Sequence, residues 1–345
     1  MQRARTVGLF TTVRATLRLL MAHGVQNALG CQPVMLMTNE LEWQSGVSPT
    51  RQPADRPSMT RKNLCFALAI LILTVPYLKA LKTLITNSLH SSVYPYTGMI
   101  PLLSGGLIYL EKGRIFSRVR NGFGIGLTLL LAALAIHCFG NRYSSVLSPN
   151  DLLALVALSM VAVWVGLFAL CYGKETCRAA AFQLSLILLI VPLPEAFLER
   201  VIPFMQGCSA LAVALLFRLS GFPVFQDGFR FSLPGADVEV AKQCSGIRSA
   251  LALFITSLLM GYIFLRSPWR RLWLVLAVFP VTILKNALRI VTIYWLTVHA
   301  SLGPVTVWVH RYGGIPFSYL GLSLLALFVI TLRRFEWVAL QRARG

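Results

Sequence analysis

Acidic residues are scarce in this chain, and charged residues of either sign are few. Only 12 of the 345 residues are Asp or Glu, and charged residues make up 13% of the sequence against 56% hydrophobic residues. Water-soluble domains carry about 25% charged residues. A chain this apolar would expose more hydrocarbon than a water-soluble fold can bury. The composition therefore excludes a large soluble domain and predicts a membrane protein.

Closely spaced cysteine pairs are also missing, which argues against a zinc site. The two nearest of the seven cysteines, Cys171 and Cys177, have no second pair beside them. Structural zinc sites in proteins are usually built from two closely spaced pairs of ligands. We therefore predict no metal, and nothing in the sequence implies an organic cofactor.

Basic residues are abundant, and the formal net charge is +20. In a soluble protein this charge would favour nucleic-acid binding. In membrane proteins, Lys and Arg collect on the cytoplasmic flanks of the spanning helices. We therefore expect membrane lipids, and no nucleic acid, among the partners.

The chain begins with a basic leader, residues 1–62, that has little hydrophobic pattern and is expected to be disordered. It contains no apolar run long enough for a secretory signal. Met59 directly precedes a Lys- and Arg-flanked apolar run. We therefore expect residues 1–58 to be an over-extended start of the reading frame.

Eight apolar runs of about helix length follow and predict an all-α polytopic bundle over residues 63–335. They lie near 64–81, 93–110, 122–139, 151–171, 179–198, 248–265, 272–298 and 314–332. The segment 201–220 is also apolar, but another crossing there would break the charge pattern downstream. We predict that this segment lies in the membrane interface or dips into it.

The distribution of Lys and Arg predicts the orientation of the bundle in an inner (cytoplasmic) membrane. With eight spans and both termini inside, most of the basic residues fall on the cytoplasmic side, including the short tail 336–345. The loop 221–243 is then outside. Its alternating apolar residues around Pro234-Gly235 predict a small β-hairpin.

The first candidate for chemistry is Cys244, between the outer loop and the start of a span. The partial positive charge of a helix N-terminus favours a thiolate over a thiol. Ser245 is a plausible N-cap, and Gly246 allows another backbone to approach closely. A single cysteine at a helix start is, however, often structural.

Two further candidates are expected at the same outer face. Arg289 lies inside the span 272–298, where a charge is costly and usually functional. Asn286 precedes it by three residues and shares its helix face. His310, before the last span, can exchange protons near neutral pH. Taken singly, an ion-paired arginine and an interfacial histidine are ordinary. Together with Cys244 they form a set suited to cysteine acyl transfer.

At these positions the chain resembles the exosortase/archaeosortase family. The resemblance is carried by the run Cys-Ser-Gly-Ile-Arg-Ser at 244–249, the run Asn-Ala-Leu-Arg-Ile at 286–290, and the later His310. It implies a membrane cysteine transpeptidase with Cys244 as the nucleophile. It further implies Arg289 as the electrostatic stabiliser and His310 as the general acid/base.

The resemblance also implies the partners. The expected substrates are exported proteins that end in a short motif (Pro-Glu-Pro in the best-known class), one membrane helix and a basic cluster. Cleavage would pass through a thioacyl enzyme, and an envelope acceptor would take the acyl group.

Two alternatives stay open at this point. Water could be the acceptor, which would make the protein a simple intramembrane protease with the same residues. A transporter or scaffold for envelope polysaccharide export would instead use Arg289 as a counter-ion and leave Cys244 incidental. The sequence shows no inverted repeat and few paired intramembrane charges, which argues against transport.

Overall fold

Helices form most of the described chain. The structure is a computed structural model and describes residues 56–90, 96–119, 122–221, 223–234, 236–240, 246–299 and 314–342. Most of the leader, together with Cys244, Ser245 and His310, lies outside these ranges. The predicted roles of these three residues therefore stay predictions.

The first half of the chain forms eight described α-helices, joined in places by short 3-10 segments. They are α1 (Arg56–Thr74), α2 (Leu78–His90), α3 (Ile100–Leu110), α4 (Lys112–Ile115), α5 (Phe123–Arg142), α6 (Pro149–Tyr172), α7 (Lys174–Ala179) and α8 (Ala181–Ile187). The second half contains longer helices and a small sheet. Its elements are α9 (Glu195–Leu219), β1 (Phe225–Asp227), β2 (Arg230–Leu233), β3 (Ala236–Glu239), α10 (Ile247–Phe264), α11 (Pro268–His299) and α12 (Gly314–Arg342).

Among the described residues, seven helical stretches are long and apolar enough to cross a membrane. They are Met59–Ser88, Phe123–Arg142, Pro149–Tyr172, Glu195–Leu219, Ile247–Phe264, Pro268–Val298 and Gly314–Ala339. The all-α polytopic bundle is thus confirmed, with a count close to the predicted eight. The chain is a multi-pass membrane protein.

Two predicted spans are shorter than expected. In the described part of the region 93–110 the apolar helix is Thr97–Leu110, and in the region 179–198 it is Ala181–Ile190, ahead of the start of α9. In the second region the cause is the pair Pro192 and Pro194, because proline lacks the amide hydrogen that helix continuation needs. The run therefore breaks there, and α9 begins at Glu195.

The segment 201–220, predicted to lie in or dip into the interface, belongs up to Leu219 to the 25-residue helix α9, which is long and apolar enough to cross a membrane. Phe204 of α9 stacks on Phe279 of α11, with ring centroids 5.7 Å apart. Thirteen residues later, Phe217 meets Tyr294 edge-on at 5.1 Å. The two helices therefore run in the same direction, toward the end of the bundle that carries the sheet. We call this the sheet end.

The three strands form one antiparallel sheet in the order β1-β2-β3. Phe231 pairs with Val238 across the β2–β3 hairpin, so the predicted hairpin is confirmed, with β1 as an additional strand. Phe231 is fully buried against the helices, in a cluster that includes Phe217 and Tyr294. Tyr294 also donates a 2.9 Å hydrogen bond to the Pro234 carbonyl. These contacts hold the sheet on the ends of α9 and α11.

The last three helices pack on one another around Leu253, Leu274 and Leu325. At the end opposite the sheet, Glu336 of α12 accepts the Ser267 amide at 2.9 Å and pairs with Arg270 at 3.3 Å. The hydrogen bond gives a backbone amide in the tight connection between α10 and α11 its acceptor. Together with the ion pair, it fixes α12 relative to the other two helices.

Candidate active site

The start of α10 is pressed against α11. Gly246 occupies the N-cap position with a φ of 80°, in the left-handed region that favours glycine. A Cβ at this position would lie 3.1 Å from Thr282 Cγ2 and 3.8 Å from Asn286 Cγ. The atoms nearest to this position belong to side chains of α11 rather than to a backbone. The described helix begins at Ile247, and the predicted role of Ser245, which lies outside the described residues, stays a prediction.

The facing side of α11 carries polar side chains at helical spacing. Thr282 and Asn286 are buried, at 0% and 3% exposure. Arg289 lies one turn further toward the sheet end and is half-buried. Positions three and four apart share a helix face, so the expected common face of Asn286 and Arg289 is confirmed. This face meets Gly246 directly.

Helix α9 contributes two buried polar residues that hold the neighbouring elements. Ser209 accepts a 3.1 Å hydrogen bond from the Asn286 amide. One turn earlier, Gln206 donates to the carbonyl of Val240, just after β3. Buried polar groups are costly unless they are hydrogen-bonded. These bonds therefore stabilise the packing of α9 against α11 and of the chain after β3 against α9.

Val240 and Gly246 lie on either side of the segment that contains the predicted nucleophile. Val240 accepts a hydrogen bond from α9 on one side, and Gly246 packs closely against α11 on the other. The residues between them include Cys244 and Ser245, which lie outside the described ranges. His310, in the connection before α12, lies outside them as well. Of the predicted catalytic residues, the structure describes Arg289 alone.

Sequence reasoning missed Gln206, Ser209 and Thr282 as contributors to this region. Their only local signal is polarity within an apolar run, and Gln206 had been attributed to an interfacial helix. Their partners lie far away in the chain, 34 residues for Gln206 and 77 for Ser209. Among the described residues, no three His, Cys, Asp or Glu side chains are grouped as a metal site would require.

Residues 86–329 match the sequence model of a protein family described as transmembrane exosortase. The chain belongs to the transmembrane exosortase family. The match covers well over half of this exosortase and includes α9, the sheet, α10, α11 and most of α12. No curated protein and no solved structure matches the chain significantly.

In this exosortase, the described residues around Gly246 comprise hydrogen-bonded polar side chains of α9 and α11 and one cationic side chain. Asn286, Ser209 and Gln206 form hydrogen bonds that position neighbouring elements. The guanidinium of Arg289 lies beyond Asn286 on the same face and carries five N–H donors. Such a cation can stabilise a thiolate or an oxyanion formed beside it.

Proposed function

We propose that this exosortase is a membrane cysteine protease and transpeptidase. It cleaves C-terminal sorting signals of exported proteins through a thioacyl intermediate and transfers the protein to an envelope acceptor. The observation that supports this best is the contact of Gly246 with Thr282 and Asn286 on α11. Gly246 is only two residues from Cys244, and Asn286 is one turn from Arg289.

Chain length limits how far the proposed nucleophile can be from the cation. Two residues of extended chain span about 7 Å at most. One helical turn between Asn286 and Arg289 adds a rise of about 5 Å. A long arginine side chain bridges distances of this size, so the thiol and the guanidinium are within mutual reach in this proposal.

In the proposed reaction, His310 first takes the proton of the Cys244 thiol. The thiolate attacks the scissile carbonyl carbon, a C–S bond forms, and Arg289 stabilises the oxyanion. The C–N bond then breaks, and His310 returns its proton to the leaving amine of the helical tail. An acceptor nucleophile next loses its proton to His310 and attacks the thioester. The C–S bond breaks, and Cys244 regains its proton.

We further propose that the sheet end faces the outside of an inner (cytoplasmic) membrane, with the C-terminus cytoplasmic. The support is the position of the basic residues. Arg266, Arg270 and Arg271 lie where α10 ends and α11 begins, away from the sheet. From Arg271 to Arg289 the helix rises about 27 Å, close to the roughly 30 Å hydrocarbon thickness of a bilayer. Arg289 would then lie near the outer boundary, where the scissile bond of a membrane-anchored substrate is expected.

The test is substrate processing in cells that carry the wild type, Cys244→Ala, Arg289→Ala or His310→Ala. The substrates are tagged proteins of the same genome that end in a short motif, a membrane helix and a basic cluster. Processing is read from size on a gel, at matched membrane levels of enzyme. Cys208→Ala and Arg218→Ala are control variants, because these residues lie on α9 outside the proposed set.

We expect the processed form to disappear in all three site variants and to persist in both controls. Product analysis by mass spectrometry then separates transfer from hydrolysis, because an acceptor adds mass to the new C-terminus. Normal processing in Cys244→Ala would remove the nucleophile and leave the transporter or scaffold function as the better account.

A further inference from the structure

Lys285 is a buried charged residue that the proposed reaction does not use. It is 5% exposed and immediately precedes Asn286 on the polar face of α11. Within the described ranges it forms neither a hydrogen bond nor an ion pair. The charged group that acts on it is Arg289, which has the same sign. A membrane helix rarely retains such a residue without a role.

The side chain of Lys285 lies between three helices. A Cβ at Gly321 of α12 would be 2.9 Å from Lys285 Cδ and 3.1 Å from Leu253 Cδ1 of α10. The absence of a side chain at Gly321 therefore makes room for the lysine stem. Leu253 is apolar and Gly321 has no side chain, so neither of these two side chains offers the ammonium group an acceptor.

Depth relates this recess to the candidate active site. Leu253 lies two helical turns after Gly246, which corresponds to about 10 Å toward the opposite end of the bundle. On α11, Lys285 lies one turn before Arg289 in the same direction. A substrate that is cleaved beside Gly246 and continues into the membrane would therefore pass Lys285 with the part that follows the scissile bond.

The substrate segment that follows the scissile bond has backbone carbonyl groups that need hydrogen-bond donors. A nucleophile cannot reach a peptide carbonyl within an intact helix, so the backbone around the scissile bond must be unwound. Within hydrocarbon, each unwound carbonyl without a donor costs several kcal/mol. Donors are therefore needed just below the scissile bond, and a lysine ammonium carries three.

We propose that Lys285 donates hydrogen bonds to the unwound backbone carbonyls of the substrate, on the membrane side of the scissile bond. The proposal rests on the proposed function and deepens it, because it identifies a substrate-positioning residue within the same site. It gives a role to a buried lysine that has no partner among the described residues. It also explains why the facing residue of α12 is glycine.

The test compares Lys285→Met, Lys285→Gln and Lys285→Arg with the wild type and with the control variant Arg218→Met. Methionine keeps the stem and removes every donor, glutamine keeps donors without charge, and arginine keeps both. Two readouts are taken at matched enzyme levels in membranes. They are the rate of processing of the tagged substrate, and the rate of Cys244 alkylation by a small maleimide, mapped by mass spectrometry.

We expect processing to fall about tenfold in Lys285→Met, the size of a lost charge-assisted hydrogen bond. Glutamine and arginine should restore part of it, and Cys244 alkylation should be unchanged in all variants. Wild-type processing in Lys285→Met would overturn the proposal. So would glutamine behaving like methionine, which would indicate a role of charge alone, or a parallel loss of alkylation, which would indicate a structural role. Cys244→Ala, run alongside, reports separately on the proposed function.

Discussion

Replacement of Gly246 by alanine tests the contact on which the candidate site depends. The residue has a φ of 80° and is the N-cap of α10. An L-residue in this region costs about 1–2 kcal/mol. The new Cβ would also lie 3.1 Å from Thr282 Cγ2, whereas carbon atoms pack best at about 3.5–4.0 Å. The start of α10 and the turn of α11 must therefore separate by roughly half an ångström.

Two causes of the expected loss of stability in Gly246→Ala can be measured separately: the unfavourable backbone conformation and the steric clash of the new Cβ. Gly221 has a φ of 76°, and a Cβ added there would meet nothing within 4 Å, so Gly221→Ala carries the backbone cost alone. We expect it to lower stability by about 1–2 kcal/mol with little effect on processing. Gly246→Ala should lose about 1–3 kcal/mol more, because overpacking forces neighbouring groups to move.

The effect on activity should be larger than the effect on stability. A misplacement of about 1 Å in a catalytic group can cost on the order of a hundredfold in rate. We expect Gly246→Ala to slow processing by roughly tenfold to a hundredfold. The assays are thermal unfolding in detergent and processing of the tagged substrate in cells. Thr282→Ser removes the methyl group that the new Cβ meets, so the double variant should recover much of the rate. Equal processing in Gly246→Ala and Gly221→Ala would refute this reasoning, as would the absence of recovery in the double variant.

Two further predictions concern buried groups. Gln206→Leu leaves the Val240 carbonyl buried without its donor, so we expect a loss of about 1–3 kcal/mol in thermal unfolding; an unchanged midpoint would show that this bond does not hold the chain after β3. Burial raises the pKa of the Cys177 thiol, in α7 outside the spanning segments, to about 11. The thiol is therefore protonated at neutral pH, and maleimide labelling of Cys177 should be slow at pH 7 and rise toward pH 11. Labelling at pH 7 as fast as in the denatured chain would contradict this.

Much of the fold could be predicted from local pattern. A membrane helix satisfies all of its backbone hydrogen bonds internally, so a sufficiently long apolar run is enough to specify it. The hairpin could also be predicted from the sequence, because strand side chains alternate between faces and Pro234 marks the turn. The failure at 179–198 was also local in origin. Pro192 and Pro194 interrupt that run, and hydropathy alone does not register the break in the helix.

The long helix α9 could not be recognised in the same way. Gln206 and Arg218 made the segment look interfacial. In the structure, Gln206 is buried and bonded to Val240, while Arg218 is exposed near the helix end. A polar residue in a membrane helix indicates an interface or a buried partner, and only the partner's position distinguishes these cases.

The sequence by itself determined that the chain lies in a membrane, that its fold is helical, and which polar residues interrupt the apolar runs. It could do so because composition and hydrophobic pattern are local properties of the chain. It also identified the family's motif residues, of which Asn286, Arg289 and Gly246 lie at the sheet end. Only the tertiary structure decided which polar residues meet: Gln206 with Val240, Ser209 with Asn286, and Gly246 with Thr282. Such pairs lie tens of residues apart, on helices whose relative rotation depends on the packing of the whole bundle. No local periodicity specifies that rotation.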